Sequence, residues 1–174
     1  MRTAVPADTG GPTSIEEVFD AEWLGMLRLA VLLVDDRASA EDVVQEAFAG
    51  LHRHWGELAG PERAGAYLRR AVVNGARSTL RRRRTARAWR APHAVPTASA
   101  EEEALLGEQR REVLAAVQAL PPRQREVVVL RYWSHLGEAE TAEVLGIARG
   151  TVKSTTSRAL RAVEKALEST EENR

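Results

Sequence analysis

The sequence contains no cysteine. That removes disulfide frameworks and thiolate metal sites from consideration and fits a reducing compartment. Long apolar runs are missing as well. The longest, Leu29 to Val34, falls far short of the roughly 20 residues a bilayer-spanning helix needs, so no membrane insertion is expected. Met1 to Ser14 is polar, carries Pro and Gly, and lacks the charged start and apolar stretch of a secretory signal; residues 1–13 read as a disordered tail on a cytoplasmic protein. Aromatics are scarce at 5%, yet apolar residues reach 44%, which allows packed cores in two small domains or one larger one over 174 residues.

Chemistry is absent too. No Gly-rich phosphate loop and no Ser-His-Asp arrangement stands out. His52 and His54 sit two apart on different helix faces with no cysteine nearby, a poor start for a metal site. Asp35 and Asp36 read as a helix-flanking turn rather than an acid pair. The expectation is a protein that is not an enzyme and needs no cofactor or metal.

What the sequence does have is a net charge of zero that hides a strong asymmetry. Between Ser14 and Pro61, Glu16, Glu17, Asp20, Glu22, Asp35, Asp36, Glu41, Asp42, Glu46 and Glu57 face only Arg28, Arg37 and Arg53. From Glu62 to Arg90 the balance reverses: Arg63, Arg69, Arg70, Arg77, Arg81, Arg82, Arg83, Arg84, Arg87 and Arg90 face only Glu62. Such a split suggests one surface for a basic protein partner and another for nucleic acid.

Apolar residues recur at helical spacing nearly throughout. Ile15, Val18, Phe19, Trp23, Met26, Ala30 and Val34 mark a first amphipathic helix. Ser39-x-x-Asp42 has the form of a capping box that starts a second, with Val44, Ala47, Phe48, Leu51 and Trp55 as its stripe. Gly56 to Gly60 reads as a loop, and Pro61 suits the first turn of a third helix whose inner face is Ala64, Tyr67, Leu68, Ala71, Val72 and Gly75. Ala91 to Ala100, with Pro92, Pro96, Thr97 and Ser99, has no periodicity and reads as a flexible linker. Trp89 beside it has no evident role. Helical pattern resumes near Glu101, stops at Pro121-Pro122, and returns over Gln124 to Trp133.

Glu138 to Leu160 carries the most information. Ala142 is small where two helices approach closely, Gly146 supplies a turn, and Val152 points inward. This is helix-turn-helix spacing, with the second helix free to enter the DNA major groove. That helix is expected from about Gly150 to Leu167, with Val152, Thr156, Ala159, Leu160 and Val163 inside and Lys153, Ser154, Ser157, Arg158 and Arg161 outside. Cations and short hydroxyls suit phosphates and base edges. Arg149 and Thr151 stand at the helix start, where backbone amides also favour a phosphate. A helical hairpin with a solvated basic face is the plainer reading; the combined spacing and basic face argue against it.

On the third helix, Arg70, Asn74, Arg77, Arg81 and Arg84 share the face opposite the apolar stripe. Phosphate neutralisation explains the arginines. Asn74 could hydrogen-bond an exposed base, and the loop leading to Arg63 could pocket an unstacked one. The plainer reading is a solvated basic face. For Asp42, Gln45 and Glu46, on the outer face of the second helix, ordinary surface acid is the preferred reading of the residues alone.

These stretches resemble a known family. Asp35-Asp36-Arg37-Ala38-Ser39-Ala40-Glu41-Asp42-Val43-Val44-Gln45-Glu46-Ala47-Phe48 is similar to region 2.2 of the extracytoplasmic-function (ECF, group 4) sigma factors of the sigma-70 family. Tyr67-Leu68-Arg69-Arg70-Ala71-Val72-Val73-Asn74 and the arginine run resemble their regions 2.3 and 2.4. Leu120-Pro121-Pro122-Arg123-Gln124-Arg125-Glu126-Val127 resembles the start of region 4, and Gly150-Thr151-Val152-Lys153-Ser154 through Ser157-Arg158-Ala159-Leu160 the recognition helix of region 4.2. The resemblance covers roughly Ile15 to Leu167, four motifs in order around a linker, and has an actinobacterial cast.

The resemblance implies an all-α chain of two small helical domains: sigma-2 over 14–90, a linker over 91–104, and sigma-4 with its helix-turn-helix over 105–170. It implies an RNA polymerase sigma factor that directs promoter-specific transcription initiation. Its partners would be core RNA polymerase, through the β′ clamp and β flap, and promoter DNA; an anti-sigma partner is left open. It implies that Asp42, Gln45 and Glu46 dock on the clamp, that Arg63, Arg70, Asn74, Arg77 and Arg81 meet the −10 element, and that Arg149, Thr151, Lys153, Ser154, Ser157, Arg158 and Arg161 face the −35 duplex. Three positions depart from the pattern. Ala148 stands where a capping Ser is common, Thr156 where Leu is common, and Tyr67 where Trp is common. The chain lacks the acidic region 1.1 and the region 3 of housekeeping sigma factors. The alternative is a stand-alone helix-turn-helix transcriptional regulator, which leaves the acidic helix and the Asn74 face unused.

Overall fold

The computed structural model describes residues 14–34, 36–58, 60–89 and 108–172. The expected N-terminal tail and the linker over 91–104 lie outside the described residues, as does the side chain of Trp89. Among the described residues every regular element is helical.

The first helix, α1, spans Ile15–Val34, the limits its apolar spacing predicts. Ser14 caps it: the Glu17 amide donates to the Ser14 hydroxyl at 3.2 Å. Val18, Met26, Leu29, Ala30, Leu33 and Val34 are buried, each large aliphatic contributing about 1.5–3 kcal/mol relative to exposure. Phe19 departs from the inner face expected for it. It is 43% exposed and stacks on Trp23 at the rim, 4.8 Å between ring centroids.

Helix α2 spans Arg37–His54 and starts earlier than the Ser39 capping box implies. Asp36 is its N-cap, its carboxylate accepting from the Ser39 amide at 2.9 Å. Ser39 is thus the capped N3 residue rather than the cap. Arg83, from the arginine run, reaches across to the Asp36 carboxylate and the Ser39 hydroxyl, and donates to the Val34 carbonyl at 3.0 Å. One arginine thereby ties the end of α1 and the start of α2 to α3. Burial alone would raise the Asp36 pKa, but the hydrogen bonds from Arg83 and the Ser39 amide outweigh it and hold the carboxyl below its ordinary value.

A 3-10 turn at Trp55–Glu57 and another at Pro61–Arg63 lead into α3, Ala64–Trp89. Between them Gly60 has φ 155°, in the region that disfavours side chains. Ala64, Leu68, Val72, Val73 and Ala76 are buried and face α1 and α2. These three helices form the first bundle.

The second bundle holds α4 (Glu108–Gln118), α5 (Pro122–Val128), α6 (Glu138–Leu145) and α7 (Arg149–Glu172). Helix α5 begins at Pro122 rather than Gln124, because proline needs no amide partner in a first turn. It runs on into a π-helical turn, Val129–Trp133. Val127, Val128, Val129 and Leu130 are all buried. The two bundles touch: the end of α1 packs on α4, α5 and the π turn, and α6 lies against α3.

Candidate nucleic-acid interface

Helices α6 and α7 form the helix-turn-helix. Gly146 ends α6 in the left-handed conformation, φ 64° and ψ 42°, which a glycine enters without a Cβ clash. The Ile147 amide donates to the Ala142 carbonyl at 3.0 Å and closes the turn. Val152, the expected inward anchor, is fully buried.

Two residues trade places on α7. Leu160, expected inside, is 41% exposed, while Thr155 is buried beside Val152 and Ala159. The buried positions 152, 155 and 159 follow a three-four spacing that tilts the inner stripe away from 160. Thr156 is half-buried and donates to the Val152 carbonyl at 2.9 Å, so its hydroxyl is satisfied locally. Arg149, Thr151, Lys153, Ser154, Ser157, Arg158 and Arg161 are all exposed. They form one continuous polar and cationic face on the first three turns of the helix. Arg149 pairs with Glu138 at 3.2 Å, and the Arg158 Nε donates to the Ser154 carbonyl at 3.3 Å. Ala148 caps α7 with its backbone alone, its carbonyl accepting from the Thr151 amide at 2.9 Å and the Val152 amide at 3.2 Å.

The basic face of α3 is less open than its sequence suggests. Arg63, Arg70, Asn74 and Arg81 are exposed, and Arg84 extends the same side. Arg77 is half-buried. Its guanidinium forks onto Glu126 of α5, Nε to Oε1 at 2.7 Å and Nη2 to Oε2 at 2.9 Å. This contact raises the Arg77 pKa further, against the opposing effect of burial. The same guanidinium donates to Asn74 Oδ1 at 3.3 Å. Glu126 was not singled out among the candidate residues. Its only sequence signal is an acid set just before the apolar run Val127 to Leu130.

On α2, Asp42, Gln45 and Glu46 are exposed on the outer face, with Glu46 paired to Arg53 at 3.0 Å. An apolar groove lined by Ile15, Phe19, Phe48 and His52, edged by Glu16 and Asp20, lies between α1 and α2. Phe48 and His52 continue the Gln45 row at helical spacing. Among the described residues no cluster of three metal-ligating side chains occurs, and no helix is long and apolar enough to cross a membrane.

Comparison with known proteins decides what these surfaces belong to. Residues 23–93 match the family described as Sigma-70 region 2, and residues 110–163 match Sigma-70, region 4. The RNA polymerase sigma-E factor of Streptomyces antibioticus is 35% identical over 159 residues, covering 91% of this chain and 87% of that protein. The chain belongs to the ECF group of the sigma-70 family. The ECF RNA polymerase sigma factor SigM of Mycobacterium tuberculosis is 30% identical over 156 residues, 86% of this chain and 75% of that one. In fold, the chain resembles the sigma factor RpoE in its co-crystal structure with the anti-sigma factor NepR from Bartonella quintana: TM-score 0.74, 21% identity, 88% of this chain and 96% of that one. It also resembles CnrH in complex with the cytosolic domain of CnrY: TM-score 0.66, 22% identity, 89% and 88% of the two chains. As a sigma factor the chain directs RNA polymerase to promoters, and its partners are the core enzyme and promoter DNA.

Proposed function

We propose that this sigma factor divides promoter recognition between its two bundles. The unit over 14–90 binds core polymerase and the −10 element, and the unit over 105–170 binds the −35 duplex. The observation that carries this reading is the segregation of α7: Val152, Thr155 and Ala159 are buried while Lys153, Ser154, Ser157, Arg158 and Arg161 all face solvent. A helix anchored on one side and cationic on the other, following a Gly-containing turn, fits the major groove. Arg149 and Thr151 add phosphate contacts at its N-terminal end.

On the first bundle, Arg63, Arg70 and Arg81 hold backbone phosphates while Asn74 hydrogen-bonds an unstacked −10 base. Arg77 joins them once it leaves Glu126. Capturing unstacked bases makes strand opening favourable, because the melted form gains contacts the duplex lacks. Asp42, Gln45 and Glu46, continued by the Phe19–Phe48 groove, dock on the β′ clamp of core polymerase, and the second bundle meets the β flap. The polymerase performs the phosphodiester chemistry; this chain is no enzyme and works in the cytoplasm beside it. The relatives RpoE and CnrH are held by anti-sigma proteins, and an anti-sigma partner fits this chain as well.

Run-off transcription with purified core polymerase tests the reading. The chain should confer initiation at discrete promoters, whereas a stand-alone helix-turn-helix regulator would leave core polymerase without promoter preference.

A further inference from the structure

Glu126 is a charged side chain in an unusual place. Its side chain is 8% exposed, and both carboxylate oxygens are occupied: Arg77 forks onto them, and Arg123 Nη1 adds a contact to Oε2 at 3.2 Å. Arg123 is a local neighbour on the same helix, but Arg77 comes from the other bundle, 49 residues away. Beside this pair, Arg125 of α5 donates to the Leu33 carbonyl at the end of α1, at 3.3 Å. Helix α5 is thus strapped across the end of α1 and the middle of α3, and α6 lies against α3 beside it.

The residue caught is one proposed to meet the −10 element, and through Asn74 Oδ1 it draws in a second. An arginine fork binds carboxylate and phosphate with the same bidentate geometry. Arg77 therefore has two mutually exclusive partners, Glu126 within the chain and a backbone phosphate outside it. A buried ion pair gives back in solvation much of what it loses when it opens, so such a clasp can be released by a competing contact of ordinary strength.

We propose that the Arg77–Glu126 pair is an autoinhibitory latch. In the free chain it holds α5 and α6 over the −10 face of α3, and it yields when core polymerase separates the bundles. This rests on the assignment of that face to the −10 element. With the open form only a minor population, apparent affinity for −10 DNA falls in proportion to that population.

The test uses the full chain free of polymerase. Donor and acceptor dyes at positions Thr85 and Ser169 report the distance between bundles, and a fluorescent single-stranded −10 oligonucleotide reports binding. Glu126→Gln keeps the shape and removes the charge. It should lengthen the inter-bundle distance and tighten oligonucleotide binding by about tenfold, as expected if roughly a tenth of the free chain is open, while leaving initiation with saturating core polymerase unchanged. Arg77→Gln should lengthen the distance equally, and the double variant should add nothing further. Circular dichroism shows whether each variant keeps its helices; should one lose them, the other carries the distance test. An unaltered distance, or a longer distance without tighter binding, overturns the latch. The −10 assignment is judged separately by Asn74→Ala in the polymerase-bound form, where normal strand opening would defeat that assignment whatever the latch does.

Discussion

At the scale of single residues, the exposed face of α7 makes the sharpest commitment. Arg158 and Lys153 stand on it without burial, so removing either side chain should leave the fold intact and change only DNA binding. Arg158→Ala and Lys153→Ala should each weaken −35 binding by about 1–3 kcal/mol where the contact is to a base, or lower the salt slope by about one where it is to a phosphate. Binding isotherms at several salt concentrations separate the two, and unaltered isotherms for both variants would remove the outer face from recognition. Asp36 makes a different commitment. Its carboxyl is held below its ordinary value chiefly by Arg83 and the Ser39 amide against the cost of burial. A carboxyl with a depressed folded-state pKa contributes stability that is complete above its unfolded pKa, near 3.9, and is lost as pH falls through the lower folded value. Asp36→Asn keeps a side-chain cap but gives up the ion pair, so its thermal stability should fall at neutral pH and lose less than the parent below about pH 4. Parallel melting curves for the two proteins, displaced by a constant amount down to acid, would contradict this.

At the scale of elements, α1 was legible in full, because its apolar residues hold a three-four spacing and the helix fills the range that spacing marks. The start of α2 was not. Ser39-x-x-Asp42 has the right form, but Asp36 already occupies the cap and Arg83 secures it, a tie between segments 47 residues apart in sequence. The inner stripe of α7 was legible at Val152 and Ala159 and misjudged at 155 and 160. Side-chain type favoured Leu over Thr, and the tilt of the helix against α4 and α5 decided otherwise. The backbone-only cap at Ala148 is a weakness that sequence and structure agree on. Ala148→Ser should add about 1 kcal/mol to the stability of the second bundle through a new side-chain bond to the start of α7, read as a rise in melting midpoint; no rise would show that the helix start is already satisfied. Gly146→Ala should lower it, by about 1–2 kcal/mol, since a Cβ is unfavourable in the left-handed turn.

At the scale of the whole molecule, the charge asymmetry along the sequence becomes a division of surfaces: an acidic outer face on α2, a basic face on α3, and a cationic recognition helix in the second bundle. The Arg77–Glu126 contact was not legible because its partners belong to different bundles and neither motif predicts the other. Doubling Gln45→Ala with Glu46→Ala should reduce affinity for core polymerase several-fold while sparing duplex −35 binding, since the α2 face and α7 belong to separate bundles; a normal pull-down would contradict the docking surface. The central claim is that two faces on separate bundles grip one promoter at two places. Photoreactive side chains placed at Arg70 and at Ser157, in initiation complexes with core polymerase, test it most directly. The account predicts crosslinks from position 70 to the melted −10 bases and from position 157 to the upstream −35 duplex of the same promoter. Crosslinks from both positions to one shared site, or none from position 70, would contradict it.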